Sequence, residues 1–479
     1  MRIEDFLRRH GLEHNPFATA EEAQGDRVLE RLLEERGFHF GHPQWPKFCG
    51  DPAGNQTSVV FGVKGSGKTA MRLALNDAVE AYNARRPDDQ GLLINYDEFN
   101  PYLDAWRRKT AERLRRKRRW GETPAKPTLR NHWHLPHHMD AILAEAAKEL
   151  PGLVARVEKP RAWDPQIRYD ILYLAAAYLP AKSHEYRETL QHLYKTLFSP
   201  WRRGLNGLAH WGLTGLTLGL FHMFKRRGLA KLLDRIIETI EREPAERRWA
   251  LQHIPKQYLR NEPEPRDPSE PDSEQPRYEL IRVFLRIAGA SGYSRVIVVI
   301  DKVDEPSMIQ GKEDRMTEFI WPLWTNKLLQ TSGVQYKMLL PAQLYNAIRK
   351  DDSLWEVMRP DKTNLINPLT WSGEHLYEML SERAAVCLAP QAEARSFELR
   401  SLFDPSISRE QLVQQLGRMA IPRFAAKFVH RALREACESL LAEDAPQEAR
   451  PTIPVHAFHK VSADMETEIQ TYRQTFRGE

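Results

Sequence analysis

The chain has 479 residues, more than one domain of ordinary size needs, so two or three packed units are expected. A hydrophobic content of 41% suits a globular protein, and a formal net charge of +5 does not by itself indicate a nucleic-acid binder. The three cysteines are widely separated and lack metal-ligand spacing, which argues against a disulfide framework or a cysteine zinc site. The N-terminal MRIEDFLRRH lacks the apolar core of a signal peptide. These features predict a protein of the reducing cytoplasm.

A glycine-rich loop between a predicted strand and a predicted helix carries the main functional signal. Ser58–Phe61 is a short apolar, β-branched run, typical of a buried parallel strand. The next residues, Gly62–Thr69, read GVKGSGKT and match G-x-x-x-x-G-K-[ST] at every fixed position. Helical periodicity follows directly in AMRLALNDAVEAY. A loop in this setting turns its backbone N–H groups toward phosphate oxygens, and the helix N-terminus adds favourable partial charge.

We therefore predict a P-loop that binds ATP and Mg²⁺. Lys68 is expected to bridge the β- and γ-phosphates, and the Thr69 hydroxyl is expected to ligate Mg²⁺. A glycine-rich turn that matches by accident is the alternative, and it leaves the flanking strand and helix unexplained. The choice between ATP and GTP stays open, because no guanine-specific motif stands out. The predicted nucleotide-binding residues are Gly62, Val63, Lys64, Gly65, Ser66, Gly67, Lys68, Thr69 and Ala70.

A second apolar strand ends on acidic residues. Val296–Ile300 is long enough for a central strand, and Asp301 follows it directly. This is the pattern of a Walker B strand, whose carboxylate holds Mg²⁺ through its water shell. Asp304 and Glu305 come one short turn later, and we favour Glu305, then Asp304, as the general base. A strand ending in a solvated acidic turn would explain the segment alone, but the P-loop upstream favours the functional interpretation.

These motifs resemble a known family. GVKGSGKT with VIVVIDKVDE is similar to the STAND/NACHT branch of the AAA+-related P-loop NTPases, although Lys302 stands where many AAA+ proteins carry glutamate. His14–Phe17 (HNPF) with GVKGSGKTAMR resembles stand-alone bacterial P-loop ATPases of anti-phage defence loci. Gly417–Arg423 (GRMAIPR) resembles the sensor-2 segment of a helical lid, which implies a role for Arg423 beside the γ-phosphate. The resemblance implies an ATP-driven switch or assembly, and it does not cover the central segment.

The remaining pattern predicts an α/β fold: a P-loop NTPase parallel sheet with a large helical insert and a C-terminal helical lid. Further strands are predicted at Gly91–Phe99, Gln335–Leu340 and Thr363–Leu369. The two Walker motifs lie about 230 residues apart, more than βα units require, which predicts the insert. We expect residues 1–100 to form an N-terminal segment and the first half of the core, and residues 277–371 to form its second half. Residues 101–276 are predicted to form the insert, which ends in a disordered Pro/Glu-rich linker at 261–276. Residues 372–479 are predicted to form the lid.

Helices are predicted in the insert and in the lid from apolar periodicity. Ser372 is a predicted N-cap for the first lid helix. The predicted helices are Asp140–Ala155, Tyr169–Leu179, Glu185–Phe198 and Leu229–Arg242 in the insert, and Ser408–Met419, Pro422–Leu441 and Val455–Phe476 in the lid.

The uncharged segment Gly204–Phe224 invites a transmembrane interpretation. One membrane span between the two Walker motifs would place the halves of one ATP site on opposite sides of a membrane. Close helix packing, an oligomer contact or a surface hairpin is therefore favoured, since Gly212, Gly215 and Gly219 are small. A membrane-linked ATPase of the KAP type remains an alternative.

The segment Trp106–Trp120 (WRRKTAERLRRKRRW) consists mostly of arginine and lysine, with a tryptophan at each end. It could bind nucleic acid, because cations neutralise phosphates and tryptophans stack on bases. A solvated basic helix is the alternative and is favoured for most charge runs.

Four histidines, His132, His134, His137 and His138, crowd into NHWHLPHHMD. Imidazole clusters can bind zinc. Pro136 interrupts regular spacing and cysteine does not join the cluster, so a loop leading into a helix is the favoured interpretation.

Several arginines could act on a neighbouring subunit's nucleotide, as happens in ring or cluster ATPases. The candidates are Arg359, Arg383, Arg418 and Arg423, with Arg423 favoured and acting in its own site. Overall we expect an oligomeric ATPase of bacterial anti-phage defence that works with a separate effector protein, such as a nuclease. A nucleotide-dependent scaffold without hydrolysis is the alternative.

Overall fold

The computed structural model describes most of the chain outside one long central stretch. The described ranges are 1–18, 25–36, 41–51, 56–116, 127–179, 274–350, 364–389, 396–442 and 450–477, with a few shorter pieces between them. The predicted helix Leu229–Arg242 and the uncharged segment Gly204–Phe224 lie outside these ranges, as does most of the predicted linker at 261–276. None of the helices within the described ranges is long and apolar enough to cross a membrane.

The fold is mixed α/β and contains a five-stranded sheet in the order β2-β3-β4-β1-β5. β1 pairs in parallel with β4, so that Ser58 lies opposite Lys337, and in parallel with β5, so that Ser58 lies opposite Asn364. This confirms the predicted α/β fold with a parallel sheet. The strands are β1 Ser58–Gly62, β2 Gln90–Tyr96, β3 Tyr293–Ile300, β4 Val334–Pro341 and β5 Asn364–Ile366.

Helices alternate with these strands along the chain. In chain order they are α1 Ile3–Arg9, α2 Arg27–Arg36, α3 Trp45–Cys49, α4 Lys68–Arg85, α5 Asn100–Arg116, α6 Leu129–His132, α7 Leu135–Lys148, α8 Leu150–Ala155, α9 Pro165–Tyr178, α10 Gln275–Ala290, α11 Glu313–Ile320, α12 Asn326–Leu329, α13 Ala342–Lys350, α14 Gly373–Ala385, α15 Arg409–Met419, α16 Pro422–Ala442 and α17 Val455–Arg477.

The chain divides into two compact units, each assembled from separated stretches. Unit 1 comprises Met1–Arg85, Val299–Thr317 and Tyr336–Glu479, and unit 2 comprises Arg86–Val298 and Glu318–Gln335. The glycine-rich loop, the acidic segment after β3 and the C-terminal helices α14–α17 all belong to unit 1. The residues that line the cavity at the glycine-rich loop are likewise all in unit 1.

One buried lysine joins β4 and β1 to the end of α3 through hydrogen bonds. Lys337 on β4 is 1% exposed. Its ammonium donates hydrogen bonds to the carbonyls of Phe48 and Cys49, both at 3.0 Å, and to the Ser58 hydroxyl at 3.1 Å. Burial lowers the pKa of Lys337 to about 8. The aliphatic part of the Lys337 side chain is buried with the strand, while its ammonium is hydrogen-bonded to several acceptors, as a buried cation requires.

The C-terminal helices begin at side-chain caps. Ser372 precedes α14 and its hydroxyl accepts the His375 backbone N–H at 3.2 Å, which confirms the predicted N-cap. Ser408 and Gln411 form a capping box at the start of α15. Such caps satisfy N–H groups that the helix itself leaves without partners. They fix where α14 and α15 start.

In unit 2 the histidine segment forms part of the hydrophobic core. His138 is fully buried, its Nδ1 lies 3.0 Å from the Tyr96 hydroxyl and its Nε2 lies 2.7 Å from the Phe319 carbonyl. Burial lowers the pKa of His138 to about 3, so the imidazole is neutral at pH 7. Within the described ranges, side chains do not form a group of three or more possible metal ligands.

Three sequence predictions need correction in detail. The predicted helix Asp140–Ala155 is two helices, α7 and α8, and α7 begins at Leu135 because His134 and His137 form a capping box there. The segment predicted as a loop leading into this helix is partly helical itself, since His137 and His138 lie in α7 and Pro136 occupies its first turn, where proline is tolerated. The last two residues of the predicted linker begin α10 at Gln275.

Candidate functional site

The glycine-rich loop (Gly62–Thr69) joins the end of β1 to the start of α4. Gly65 and Gly67 have φ values of +85° and +96°, in the region that side-chain-bearing residues rarely adopt. A Cβ atom at Gly65 would also lie 2.9 Å from the Cβ of Arg423. Glycine is therefore required at Gly65 both by the backbone turn and by the close approach of α16.

Lys68 is the first residue of α4, and its ammonium folds back over the loop. The ammonium donates hydrogen bonds to the carbonyls of Gly62 at 2.8 Å and Val63 at 3.2 Å. Burial lowers the pKa of Lys68, and the negative charges of Asp304 and Asp301 oppose that shift. The cation thus lies over two loop carbonyls, and Lys68 lines the same cavity as Asp301 and Asp304.

Asp301 directly follows β3 and is 1% exposed. Its Oδ1 accepts the backbone N–H of Lys302 at 2.9 Å, and its Oδ2 lies 3.5 Å from the Thr69 hydroxyl. The Nε of Arg72 lies 3.4 Å from the same Oδ2. Burial raises the pKa of the Asp301 carboxyl, while Arg72 and then Lys68 act in the opposite direction. Burial is the largest of these effects, so the pKa of the Asp301 carboxyl stays above its ordinary value.

The turn after Asp301 carries the two further carboxylates. Lys302 has a φ of +60°, which is uncommon for a residue with a side chain, and its carbonyl accepts the Glu305 N–H at 3.1 Å. The Asp304 carbonyl accepts the Gly311 N–H at 2.9 Å. Asp304 is partly buried and Glu305 is exposed. The turn brings both side chains into the lining of the same cavity as Lys68.

Three consecutive carbonyls of the glycine-rich loop accept hydrogen bonds from residues that are far away in the sequence. The Tyr472 hydroxyl donates to the Lys64 carbonyl at 2.8 Å, and the Trp371 indole N–H donates to the Ser66 carbonyl at 2.9 Å. Between them, the Arg423 backbone N–H approaches the Gly65 carbonyl at 3.4 Å. The start of α16, the end of α17 and the residue before the α14 cap all contact the loop.

A cavity of about 450 Å³ lies among these elements. One side is lined by the glycine-rich loop and the carboxylates, and another by apolar side chains of α2, α14 and α16. Its residues are Asp26, Leu29, Leu32, Leu33, Gly41, Lys64, Gly65, Gly67, Lys68, Thr69, Ala70, Asp301, Lys302, Asp304, Glu305, Trp371, Met379, Glu382, Arg383, Pro422, Arg423 and Ala426.

A buried ion pair forms part of the cavity wall. The Arg383 guanidinium lies 2.8 Å from Asp26 Oδ2, and the two side chains are 6% and 2% exposed. Arg383 Nε also donates to the Pro16 carbonyl at 3.1 Å. Asp26 Oδ1 accepts the backbone N–H groups of Val28 at 3.1 Å and Leu29 at 3.3 Å at the start of α2. The pair ties α14 to the N-terminal segment.

Most predicted site residues meet at this cavity. Asp301, Asp304, Glu305 and Arg423 line it, as do Lys64, Gly65, Gly67, Lys68, Thr69 and Ala70. Gly62 and Val63 contribute the carbonyls that hold Lys68, and Ser66 accepts from Trp371.

The other arginines considered for action on a neighbour's nucleotide have different settings. Arg383 is buried in its pair with Asp26, and exposed Arg418 pairs with Glu466 at 2.9 Å. Arg359 lies outside the described residues. Gln343, a polar residue just after β4, is in the first turn of α13 and is not among the described residues that line the cavity.

Sequence analysis missed Arg72, Asp26 and Tyr472. Arg72 could have been found, because Thr69 and Arg72 are three residues apart on one helix and therefore share a face. Asp26 and Tyr472 act through partners more than 300 residues away, and the local sequence gives no sign of such contacts.

Comparison with protein-family models, with curated proteins and with solved structures finds no match to this chain. The resemblance to STAND/NACHT ATPases therefore stays a prediction based on motifs, and the geometry of the site has to support any function.

Proposed function

We propose that this chain is a Mg²⁺-dependent P-loop ATPase that acts as a nucleotide-driven switch. The observation that carries the proposal is the approach of Thr69 and Asp301, whose side-chain oxygens lie 3.5 Å apart although 232 positions separate them. Hydroxyl and carboxylate oxygens are the ligands that Mg²⁺ prefers. A glycine-rich loop and a lysine ammonium beside such a pair are the elements that P-loop enzymes use to hold phosphates.

The cavity fits a nucleotide in size and in chemistry. A volume of about 450 Å³ is within the usual range for small-molecule sites. Its polar side offers Lys68, Arg423 and the start of α4 to phosphates. Its apolar side, with Leu29, Leu33 and Met379, offers a surface for a base. Mg²⁺ held by Thr69 and Asp301 would neutralise charge on the β- and γ-phosphates.

The remaining side chains have distinct proposed roles. Lys68 binds and orients the phosphates, and Arg423 stabilises charge that develops on the γ-phosphate. Asp304 or Glu305 accepts the proton of the attacking water. Burial supports Asp304 first, since Asp304 is partly buried at the cavity whereas Glu305 is exposed. This reverses the order that the sequence alone favoured.

The switch function rests on the contacts between the loop and the C-terminal helices. Tyr472, Arg423 and Trp371 each contact a loop carbonyl, so a loop that rearranges around phosphates also displaces α16 and α17. An effector partner, oligomer formation and a role in anti-phage defence are further proposals that depend on the family resemblance alone.

Nucleic-acid binding by residues 106–120 also stays a proposal, but the role of its first tryptophan changes. Trp106 is 5% exposed and its indole N–H donates to the His132 carbonyl at 3.0 Å. A base cannot stack on a ring that is packed in the core. Any contact with polyanions would use exposed cations such as Arg107, Arg108 and Arg115.

The decisive test is steady-state ATP hydrolysis by the purified chain, with and without single- and double-stranded DNA and RNA. The Lys68→Ala variant removes the proposed phosphate ligand. Lys47→Ala is the matched control, because Lys47 is an exposed lysine that bonds the Leu365 carbonyl away from the cavity. We expect turnover to fall at least about 100-fold in Lys68→Ala and to persist in Lys47→Ala.

Other outcomes separate the alternatives. Nucleotide binding without turnover would replace the enzyme by a nucleotide-dependent scaffold. Absence of both binding and turnover in the unmodified chain would overturn the proposal. Stimulation by nucleic acid would support a polyanion partner, whereas indifference to it would favour a protein partner.

A further inference from the structure

An arginine contacts the carboxylate proposed to hold the metal. Arg72 lies on α4, one helical turn after Thr69, and its side chain is 8% exposed. Its Nε lies 3.4 Å from Asp301 Oδ2. This is the same oxygen that faces the Thr69 hydroxyl at 3.5 Å.

The two oxygens of Asp301 are therefore constrained differently. Oδ1 accepts the Lys302 backbone N–H at 2.9 Å, which fixes one end of the carboxylate to the chain. Oδ2 lies between Thr69 and Arg72, both of which are on α4. Because α4 starts at the glycine-rich loop, Arg72 ties the carboxylate to the same helix that carries the other proposed metal ligand.

Stability alone does not explain a guanidinium in this place. Burying an ion pair costs desolvation that its attraction often fails to offset, and an apolar pair of similar volume is frequently as stable. Such a pair instead holds the carboxylate in one orientation. A side chain that must present one oxygen to a small cation benefits from this constraint, because Mg²⁺ demands nearly ideal ligand geometry.

We propose that Arg72 is a positioning residue, which holds Asp301 Oδ2 toward Thr69 and thereby presets the metal-binding pair. The proposal rests on the proposed function, since it assigns a role in the same site. Arg72 is not among the described residues that line the cavity, whereas Asp301 is, so its contact with Asp301 Oδ2 is what links it to the proposed metal site. Loss of the side chain should weaken metal binding more than it weakens binding of the nucleotide itself.

The experiment compares Arg72→Met and Arg72→Lys with the unmodified full-length chain. Binding of Mn²⁺, a paramagnetic substitute for Mg²⁺, is followed by electron paramagnetic resonance in the presence of a non-hydrolysable ATP analogue. Binding of a fluorescent ATP analogue in EDTA is measured in parallel. We expect Arg72→Met to weaken Mn²⁺ binding about tenfold, a typical effect of removing an outer partner of a metal ligand.

In Arg72→Met, the affinity for the metal-free nucleotide should change less than twofold. Arg72→Lys should recover part of the Mn²⁺ affinity, because lysine restores a cation at this position. Arg431→Met is the control for loss of an ion-paired arginine, since Arg431 pairs with Glu468 at 2.8 Å on the C-terminal helices. Its Mn²⁺ binding should match that of the unmodified chain.

The outcomes distinguish the two proposals. Unchanged or tighter Mn²⁺ binding by a folded Arg72→Met, beside normal binding by the unmodified chain, would overturn the positioning role alone. Equal weakening of metal and metal-free nucleotide binding would also overturn it, because that result indicates general damage to the site. If the unmodified chain bound neither Mn²⁺ nor nucleotide, the proposed function would fail and the role of Arg72 with it.

Discussion

The hydroxyl of Tyr472, near the C-terminal end of α17, donates a hydrogen bond to the backbone carbonyl of Lys64 at 2.8 Å, across 408 residues of sequence. Its ring also packs edge-on against Phe424 of α16, with ring centroids 5.1 Å apart. One side chain thus joins two C-terminal helices to the glycine-rich loop. If the loop holds phosphates, this contact is a direct route by which the nucleotide state reaches α17.

We predict that Tyr472→Phe accelerates nucleotide release. The variant keeps the ring and its contact with Phe424 but loses one hydrogen bond, which is worth about 1 kcal/mol, or roughly fivefold in a rate or an equilibrium constant. Stopped-flow release of a fluorescent ATP analogue measures the effect. Tyr345→Phe is the matched control, because it removes a 3.1 Å hydrogen bond to Asn367 away from the cavity lining. Equal release rates in all three proteins would contradict a role for the Tyr472 contact.

The two carboxylates after Asp301 should differ in their effect on hydrolysis. Asp304→Asn is expected to reduce kcat by about 100-fold or more, the usual contribution of a general base. Glu305→Gln should have a smaller effect, since Glu305 is exposed whereas Asp304 is partly buried. Single-turnover hydrolysis of radiolabelled ATP tests both variants, with binding measured separately. A larger loss in Glu305→Gln would restore the assignment that the sequence favoured.

The sequence predicted the parts of the site that depend on local pattern. Gly62–Thr69 and the run ending on Asp301 are contiguous motifs, and their strands and turns form where apolar runs and glycines place them. The Ser372 cap was predictable for the same reason, since a cap is set by residues within one turn. The parallel sheet then brings the carboxyl ends of β1 and β3 to one edge.

The sequence could not predict contacts that depend on tertiary packing. The Asp26–Arg383 pair and the Tyr472–Lys64 hydrogen bond join segments more than 300 residues apart, and their local patterns look like ordinary surface positions. Trp106 was predicted to be available for stacking because it borders a basic run. Its position on α5 instead places its side chain in the core of unit 2, where the ring packs edge-on against Trp133.

Breaking the Asp26–Arg383 pair should destabilise unit 1. Arg383→Met leaves the Asp26 carboxylate buried without its guanidinium partner, and removing one member of a buried pair costs about 3–5 kcal/mol. Asp26→Asn in the same chain removes the charge while keeping an oxygen for the α2 N–H groups. The double variant should therefore be more stable than Arg383→Met alone.

Urea unfolding of the unmodified chain, both single variants and the double variant measures this coupling. A strictly additive cycle would show that the two side chains do not interact energetically, despite the 2.8 Å separation. The Arg418→Met variant serves as the comparison for an exposed pair with Glu466, for which the cost should be at most about 1 kcal/mol.

His138 should make the stability of unit 2 depend on pH in the acid range. Burial lowers the pKa of this imidazole from 6.5 to about 3 in the folded protein. Below pH 6.5 the unfolded chain binds a proton at this imidazole and the folded chain does not, so the unfolded state is stabilised relative to the folded state as the pH falls. The contribution of His138 is complete above about pH 6.5 and is lost progressively toward pH 3.

Between pH 6.5 and pH 5 this single group should lower the free energy of unfolding by about 2 kcal/mol, from 1.36 kcal/mol per pH unit. Urea unfolding at pH 7 and pH 5 measures the loss, and His138→Gln should show a smaller difference between the two because glutamine does not titrate. His459→Gln changes an exposed histidine and should keep the pH dependence of the unmodified chain. An equal loss in the unmodified chain and in His138→Gln would show that His138 is not the source of the acid sensitivity.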